Sequence, residues 1–423
     1  MTGLTLGRGL TPARSVLDNG VVVLAQESGA TPAVAINATF LAGSADDPDD
    51  LPGVAYLARR TIDRGTATLD AEDIADILDD RGVSLRVSVS RHTFSISCVC
   101  LAEDFDEILS LIADVARDPV FPEEEIDKRR LEAITSLRED YDDPAKVAVD
   151  LLHEDLYGRH HPYGRPLKGT LKSLETITRR DLLDYNRRYL TPPRLRIAIA
   201  GDIARSEALA AVGRQFGRWP HHDGEPETIP LPADPRQRSL RLHSMPAKAQ
   251  ADLAYGFPTI RRLDPRYYAY AILNNVLGQF GLGGRLADNI RERQGMAYYA
   301  YSTLEASVGE GPLIIRVGVD PNDVERALAA IDAEVRMLGQ EGPTEQELED
   351  TRESLVGSVP RLLETNESIS EFLIYVEQFG LGLDYDRRVS EHFRHVTMRD
   401  VRQAAREALD PAHAAVVVAG PVR

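Results

Sequence analysis

Cysteine is almost missing from this chain: two of 423 residues, Cys98 and Cys100. Both fall in Thr93–Leu101, a run that reads as a strand. Residues two apart share one face of a strand and sit too close in sequence for an ordinary disulfide. A metal pair is conceivable, but no further cysteine exists to complete a thiolate site, and the pair reads better as two small buried apolar residues. Such scarcity fits a reducing compartment. Long apolar runs are missing too. Nothing reaches the roughly 18 residues of a membrane span, and Met1–Asn19 lacks the apolar stretch of a signal peptide. The expected location is therefore cytoplasmic. A basic surplus is also absent: 67 acidic residues face 49 basic ones, a net charge of -18. That argues against a nucleic-acid binder and favours basic or polar partners and solubility. Neither a nucleophile elbow nor a phosphate loop occurs.

What is present is apolar material for a core, 43% of the chain, in a length that suits two domains. The chain also repeats itself. Thr178–Ile203 matches Thr397–Val422 at an offset of 219 residues. Thr178, Arg180, Asp181, Arg187, Leu190 and Pro192 align with Thr397, Arg399, Asp400, Arg406, Leu409 and Pro411. Ile197–Gly201 (IAIAG) then aligns with Val416–Gly420 (VVVAG). Each copy predicts a threonine-capped helix, a proline turn and a short buried strand stopped by glycine. An offset near half the chain length means one domain present twice. The boundaries so implied are 1–219, a linker at 220–238 with five prolines, and 239–423.

Periodicity in the first copy predicts strands at Asn19–Gln26, Ala33–Ala42, Val83–Ser90 and Thr93–Leu101. It predicts helices at Gly53–Asp63, Asp70–Asp80, Asp104–Asp118 and Glu123–Glu139. The fold class is α+β, two homologous domains, each an antiparallel sheet packed with helices.

Three spaced motifs, Leu41-Ala-Gly-Ser44, Gly53-Val-Ala-Tyr-Leu57 and Arg64-Gly-Thr66, resemble the N-terminal half of the insulinase family. That family includes pitrilysin and the mitochondrial processing peptidase. Tyr157–Thr170 and Asn289–Ser302 are similar to later segments of it, so the likeness spans essentially the whole chain. The resemblance implies two domains that face each other as half of a clamshell. In active members the helix after Gly53 carries H-x-x-E-H: two zinc-binding histidines on one helical face and a glutamate that polarises the attacking water. Gap-free alignment puts Tyr56 and Arg60 at the ligand positions and Arg59 at the base. An arginine side chain has no lone pair to give and does not deprotonate. The third ligand, a glutamate in active members, aligns with Ser136, while Glu132 and Glu139 lie within a register slip of it.

The resemblance further implies that an arginine and a tyrosine seven residues apart, here Arg291 and Tyr298, hold the substrate backbone at a zinc site. The glycine-rich run Gly278–Gly284 just upstream resembles a flexible substrate-touching loop of the non-catalytic mitochondrial subunit. The expected protein is thus a subunit inactive by itself, without zinc of its own. It forms a heterodimer with an H-x-x-E-H-bearing, zinc-containing sister chain and supplies Arg291 and Tyr298 to peptide hydrolysis. The alternative is a non-proteolytic scaffold on the same fold. Of the histidines, the adjacent pairs His160-His161 and His221-His222 read as solvated loop groups, and His92 and His153 as packed imidazoles. His392 and His395 fall three apart on a helix without a third ligand in view.

Overall fold

The computed structural model describes residues 9–221, 228–232, 237–278 and 283–422. Parts of the 220–238 linker and of the glycine-rich run lie outside these residues.

Two sheets organise the chain. The first contains β1 (Ala13–Val16), β2 (Val22–Glu27), β3 (Ala33–Phe40), β4 (Arg86–Val89), β5 (Phe94–Leu101) and β6 (Leu195–Gly201), in the order β1-β2-β6-β3-β5-β4. The second contains β7 (Ser239–Ser244), β8 (Ala251–Pro258), β9 (Ala297–Leu304), β10 (Pro312–Val319) and β11 (Ala415–Gly420), in the order β7-β11-β8-β10-β9. With β1 set aside, the two orders correspond strand for strand, which places the sequence duplication in the topology. Each sheet is antiparallel apart from one parallel pair, β2 with β6 and β7 with β11. Those pairs arise because the last strand of each copy returns, after a long helical excursion, to lie beside the first, and parallel neighbours require such a crossover.

The repeated motif supplies these inserted central strands. IAIAG and VVVAG are β6 and β11, the second of them buried at every residue. Their closing glycines both have φ near +146°. A Cβ on Gly201 would stand 2.2 Å from the Ala33 carbonyl oxygen, so only glycine fits. Each strand follows a helix with the same cap. The Thr178 hydroxyl accepts from the Asp181 backbone and the Thr397 hydroxyl from that of Asp400, and each aspartate reaches back to the threonine N–H. Thr397→Ala is expected to cost about 1 kcal/mol, read as a lowered urea midpoint at unchanged m-value. Hydrogen bonds from Thr397 hold the Asp400 carboxyl below its ordinary range. The cap's contribution is therefore complete above the unfolded carboxylate range and is lost as pH falls through the lower folded value.

The compact units follow packing rather than the repeat. One comprises residues 1–137, 166–227 and 359–388; the other comprises 138–165, 228–358 and 389–423. A helix from each half of the sequence thus covers the sheet built by the other half. Helix Pro144–Tyr157 lies on β8 and β11, with Ala148, Leu152 and Leu156 clustered on Ala254 and Val417. Helix Asn366–Gln378 lies on β3 and β6, with Ile369, Leu373 and Ile374 against Leu24, Ala198 and Ala200. Covered on both faces, β6 and β11 read as continuous apolar runs rather than alternating ones. The other face of the first sheet carries the main core, including Ile36, Phe40, Phe94, Ile96, Leu57 and Ile108. No helix among the described residues is long and apolar enough to cross a membrane.

Candidate functional site

Helix Val54–Thr61 begins at Gly53, whose φ of +99° only glycine adopts freely. The Asp47 carboxylate accepts the N–H groups of Gly53 at 2.7 Å and Ala55 at 2.8 Å, a negative charge where the helix dipole favours one. A Cβ on Gly53 would stand 2.8 Å from the Lys168 carbonyl oxygen, so glycine also lets the 168–169 segment approach the helix start. This brings Lys168 to the side chains that matter.

Tyr56 and Arg60 share one helical face as their i,i+4 spacing requires. Tyr56 is buried, and three cations surround its ring: the guanidinium carbons of Arg59 and Arg60 at 4.9 and 5.7 Å and the Lys168 Nζ at 6.0 Å from the centroid. Lys168 also donates to the Ser136 hydroxyl at 3.0 Å. Arg60 Nη2 donates to Glu132 at 2.9 Å, and Arg129 Nη1 donates to both Glu132 oxygens at 2.9 and 3.0 Å. Arg59 donates to the Val87 carbonyl of the edge strand β4 at 3.1 Å. Bonding from Arg129, with Arg60 adding to it, holds the Glu132 carboxyl below its ordinary range. Burial instead raises the Asp63 carboxyl, against the opposing charge of Arg64.

The structure thus brings Tyr56, Arg59, Arg60 and Ser136 into one place, with Glu132 beside them. Glu139 is exposed and belongs to the other compact unit. The set does not fit zinc: two guanidiniums, a phenol, a hydroxyl and an ammonium surround one carboxylate already shared by two arginines. Among the described residues no group of three or more His, Cys, Asp or Glu could hold a metal ion. Lys168, Arg129 and Arg86 were not singled out in the sequence, because nothing in their spacing marks them as neighbours of Tyr56, and Arg64 was noted only as part of a motif.

Arg291 and Tyr298 occupy irregular backbone. Ala287–Arg293 is a π-helical turn in which the Gln294 N–H reaches back five residues to the Asn289 carbonyl at 3.1 Å. That turn packs on β9, the outer strand of the second sheet. In β9, Tyr299 stands opposite Gly318 and Ala297 opposite Val319, so Tyr298 is the extra residue of a β-bulge. Its side chain is 69% exposed and its hydroxyl has no hydrogen bond among the described residues. The Arg291 side chain is 39% exposed, and its one ion pair among the described residues is with its neighbour Glu292, at 3.6 Å. The neighbouring Tyr299 is anchored instead, its hydroxyl donating to the buried Asp252, whose carboxyl is raised by burial.

Cys98 and Cys100 are free and buried, and burial pushes the Cys100 thiol up to about 12. The reading of His161 as solvated is corrected. Its Nδ1 accepts from the Tyr163 N–H at 2.9 Å, its Nε2 meets the Pro230 carbonyl at 3.0 Å, and it packs against Tyr157. His153 is buried, stacked on Tyr157, and 3.4 Å from Glu305. His222 lies outside the described residues.

Two family models match the chain: the one described as insulinase (peptidase family M16) over residues 22–171, and the one described as the peptidase M16 inactive domain over 176–355. The chain is 28% identical over 355 residues to an uncharacterized zinc protease, YmxG, of Bacillus subtilis, covering 84% of this chain and 85% of that one. It is 23% identical over 386 residues to the non-peptidase homolog YmxG of Helicobacter pylori, covering 90% and 87%. Among solved structures, the peptidase M16 inactive domain from Pseudomonas fluorescens matches with a TM-score of 0.91 at 26% identity, over 97% of this chain and 98% of that one.

Proposed function

We propose, from the premise that this chain belongs to the insulinase (M16) peptidase family, that it is a non-catalytic subunit completing the peptide site of a zinc-bearing sister chain. The carrying observation is the state of Arg291 and Tyr298. Two strong hydrogen-bond donors, Tyr298 exposed and Arg291 half-buried, stand on a β-bulge and a π-helical turn, backbone irregularities that are frequent beside functional sites. A guanidinium and a phenol both suit a peptide carbonyl and the oxyanion it becomes under attack. The chain's own aligned zinc positions carry Tyr56, Arg60 and Ser136 in place of two histidines and a glutamate, a set ill suited to hold zinc. In the proposed heterodimer the sister chain supplies zinc and general base, and this chain supplies the two donors.

The test is complementation. The purified chain is expected to cleave no peptide, and a sister chain with H-x-x-E-H to cleave well only when this chain is added. Full activity of the sister chain alone, unchanged by addition, would remove the proposal.

A further inference from the structure

Arg59 and Arg60, at two of the aligned positions, line a pocket of about 330 Å³ whose walls reverse the sign of the whole chain. Against a net charge of -18, this pocket is faced by Arg59, Arg60, Arg64, Arg86 and Arg129, with only Asp63 and Glu132 as lining carboxylates. Four of the five cations have partners: Arg60 and Arg129 share Glu132, Arg64 meets Asp63 at 3.2 Å, and Arg86 meets Glu367 at 2.9 Å. Arg59 makes no ion pair among the described residues; its hydrogen bond goes to the neutral Val87 carbonyl. The Nε–H groups of Arg60 and Arg64 are buried without a hydrogen-bond acceptor, as is the Asp63 Oδ1 without a donor, while Arg129 Nε lies 3.4 Å from Glu125.

We propose that this pocket binds a carboxylate of a peptide, with Arg59 as the principal cation. The proposal rests on the reading of the chain as a peptide-handling subunit and names the kind of peptide it prefers. Glu132, gripped from two sides, shows that these guanidiniums are set at the spacing a planar carboxylate needs. The incoming group replaces a neutral acceptor on Arg59 by a charged one, and charge-assisted bonds are about twice as strong. The volume admits one or two side chains and no folded partner. The commitment to a carboxylate rests on the two-pronged hold that Glu132 already receives, and a phosphate is the outcome that the phosphoserine peptide tests. The carboxylate belongs either to an acidic side chain or to a peptide C-terminus.

The experiment is fluorescence anisotropy on the full chain alone with four labelled short peptides. One carries glutamates and an amidated end, one is neutral with a free C-terminal carboxylate, one is neutral and amidated, and one carries phosphoserine. At least one carboxylate peptide is expected to bind about tenfold tighter than the neutral amidated one, with the margin shrinking as salt rises. Which of the two does so identifies the source of the carboxylate. Arg59→Gln should erase the margin and Arg59→Lys should keep part of it. Arg180→Gln, a change at an exposed residue of another helix, should leave it intact. Thermal unfolding verifies that each variant is folded. Equal binding of all peptides, tightest binding of the phosphopeptide, or equal loss in Arg59→Gln and Arg180→Gln would overturn the proposal. Because no sister chain is present, such a failure leaves the Arg291 and Tyr298 reading untouched, and the reverse also holds.

Discussion

A complex of this chain carrying Arg291→Ala with an H-x-x-E-H-bearing sister chain is expected to turn over peptide on the order of 10²–10³ more slowly than the wild-type complex, about 3–4 kcal/mol. Donors aimed at charge that develops during attack act chiefly in the transition state, so kcat falls while KM changes little. Tyr298→Phe removes one hydroxyl and leaves the ring on its bulge, which makes it the cleaner variant. An exposed phenol with no hydrogen bond among the described residues contributes little to folding, so its loss should not unfold the chain. If both donors reach one oxyanion, the double variant loses less than the two single losses combined. Gel filtration must first establish that each complex assembles. Assembled complexes that cut at the wild-type rate would make both residues structural and favour the scaffold reading, in keeping with a relative described as a non-peptidase homolog.

Much of the fold was legible because its signals are local. The run Thr93–Leu101 became β5, Glu123–Glu139 became the helix Glu123–Asp142, and both threonine caps stand where the repeat placed them. The exchange of helices was not legible. Ala148, Leu152 and Leu156 mark an apolar face, but periodicity states only that the face is buried and never against which sheet. The site divides the same way. That Tyr56 and Arg60 stand at the ligand positions and Arg59 at the base was an expectation drawn from the resemblance and from residue type. The cationic pocket could not be read that way, since Arg86 and Arg129 come from elements distant in sequence from Arg59, Arg60 and Arg64 and join them only after folding. The bulge at Tyr298 was equally hidden: it depends on register against Gly318 and Val319, and the sequence of β9 alternates no differently there.

Rebuilding a metal centre tests the geometry of the aligned positions most directly. The quadruple variant Tyr56→His, Arg59→Glu, Arg60→His and Ser136→Glu is expected to take up one zinc per chain, and the triple variant without the change at Ser136 is not. Positions 56 and 60 share a helical face, which gives two imidazoles the required approach. The third ligand must come from the helix Glu123–Asp142, and two of its residues compete. Glu132 touches position 60 only through the long arginine side chain, which bridges the gap at 2.9 Å. A histidine is shorter, and Arg129 keeps its two-pronged hold on the Glu132 carboxylate. Ser136 meets Lys168 at 3.0 Å, and the same Lys168 Nζ lies 6.0 Å from the Tyr56 ring, so a carboxylate at 136 faces position 56. Lys168 would then compete with the metal for that carboxylate, and adding Lys168→Ala should tighten binding further. Elemental analysis gives the stoichiometry. Thermal unfolding gives the linkage, which at free zinc 1,000 times Kd amounts to about 4.1 kcal/mol of added stability. If the triple variant binds zinc as tightly as the quadruple one, Glu132 swings free of Arg129 to serve as the third ligand. The alignment of this helix with active relatives must then be moved by one turn.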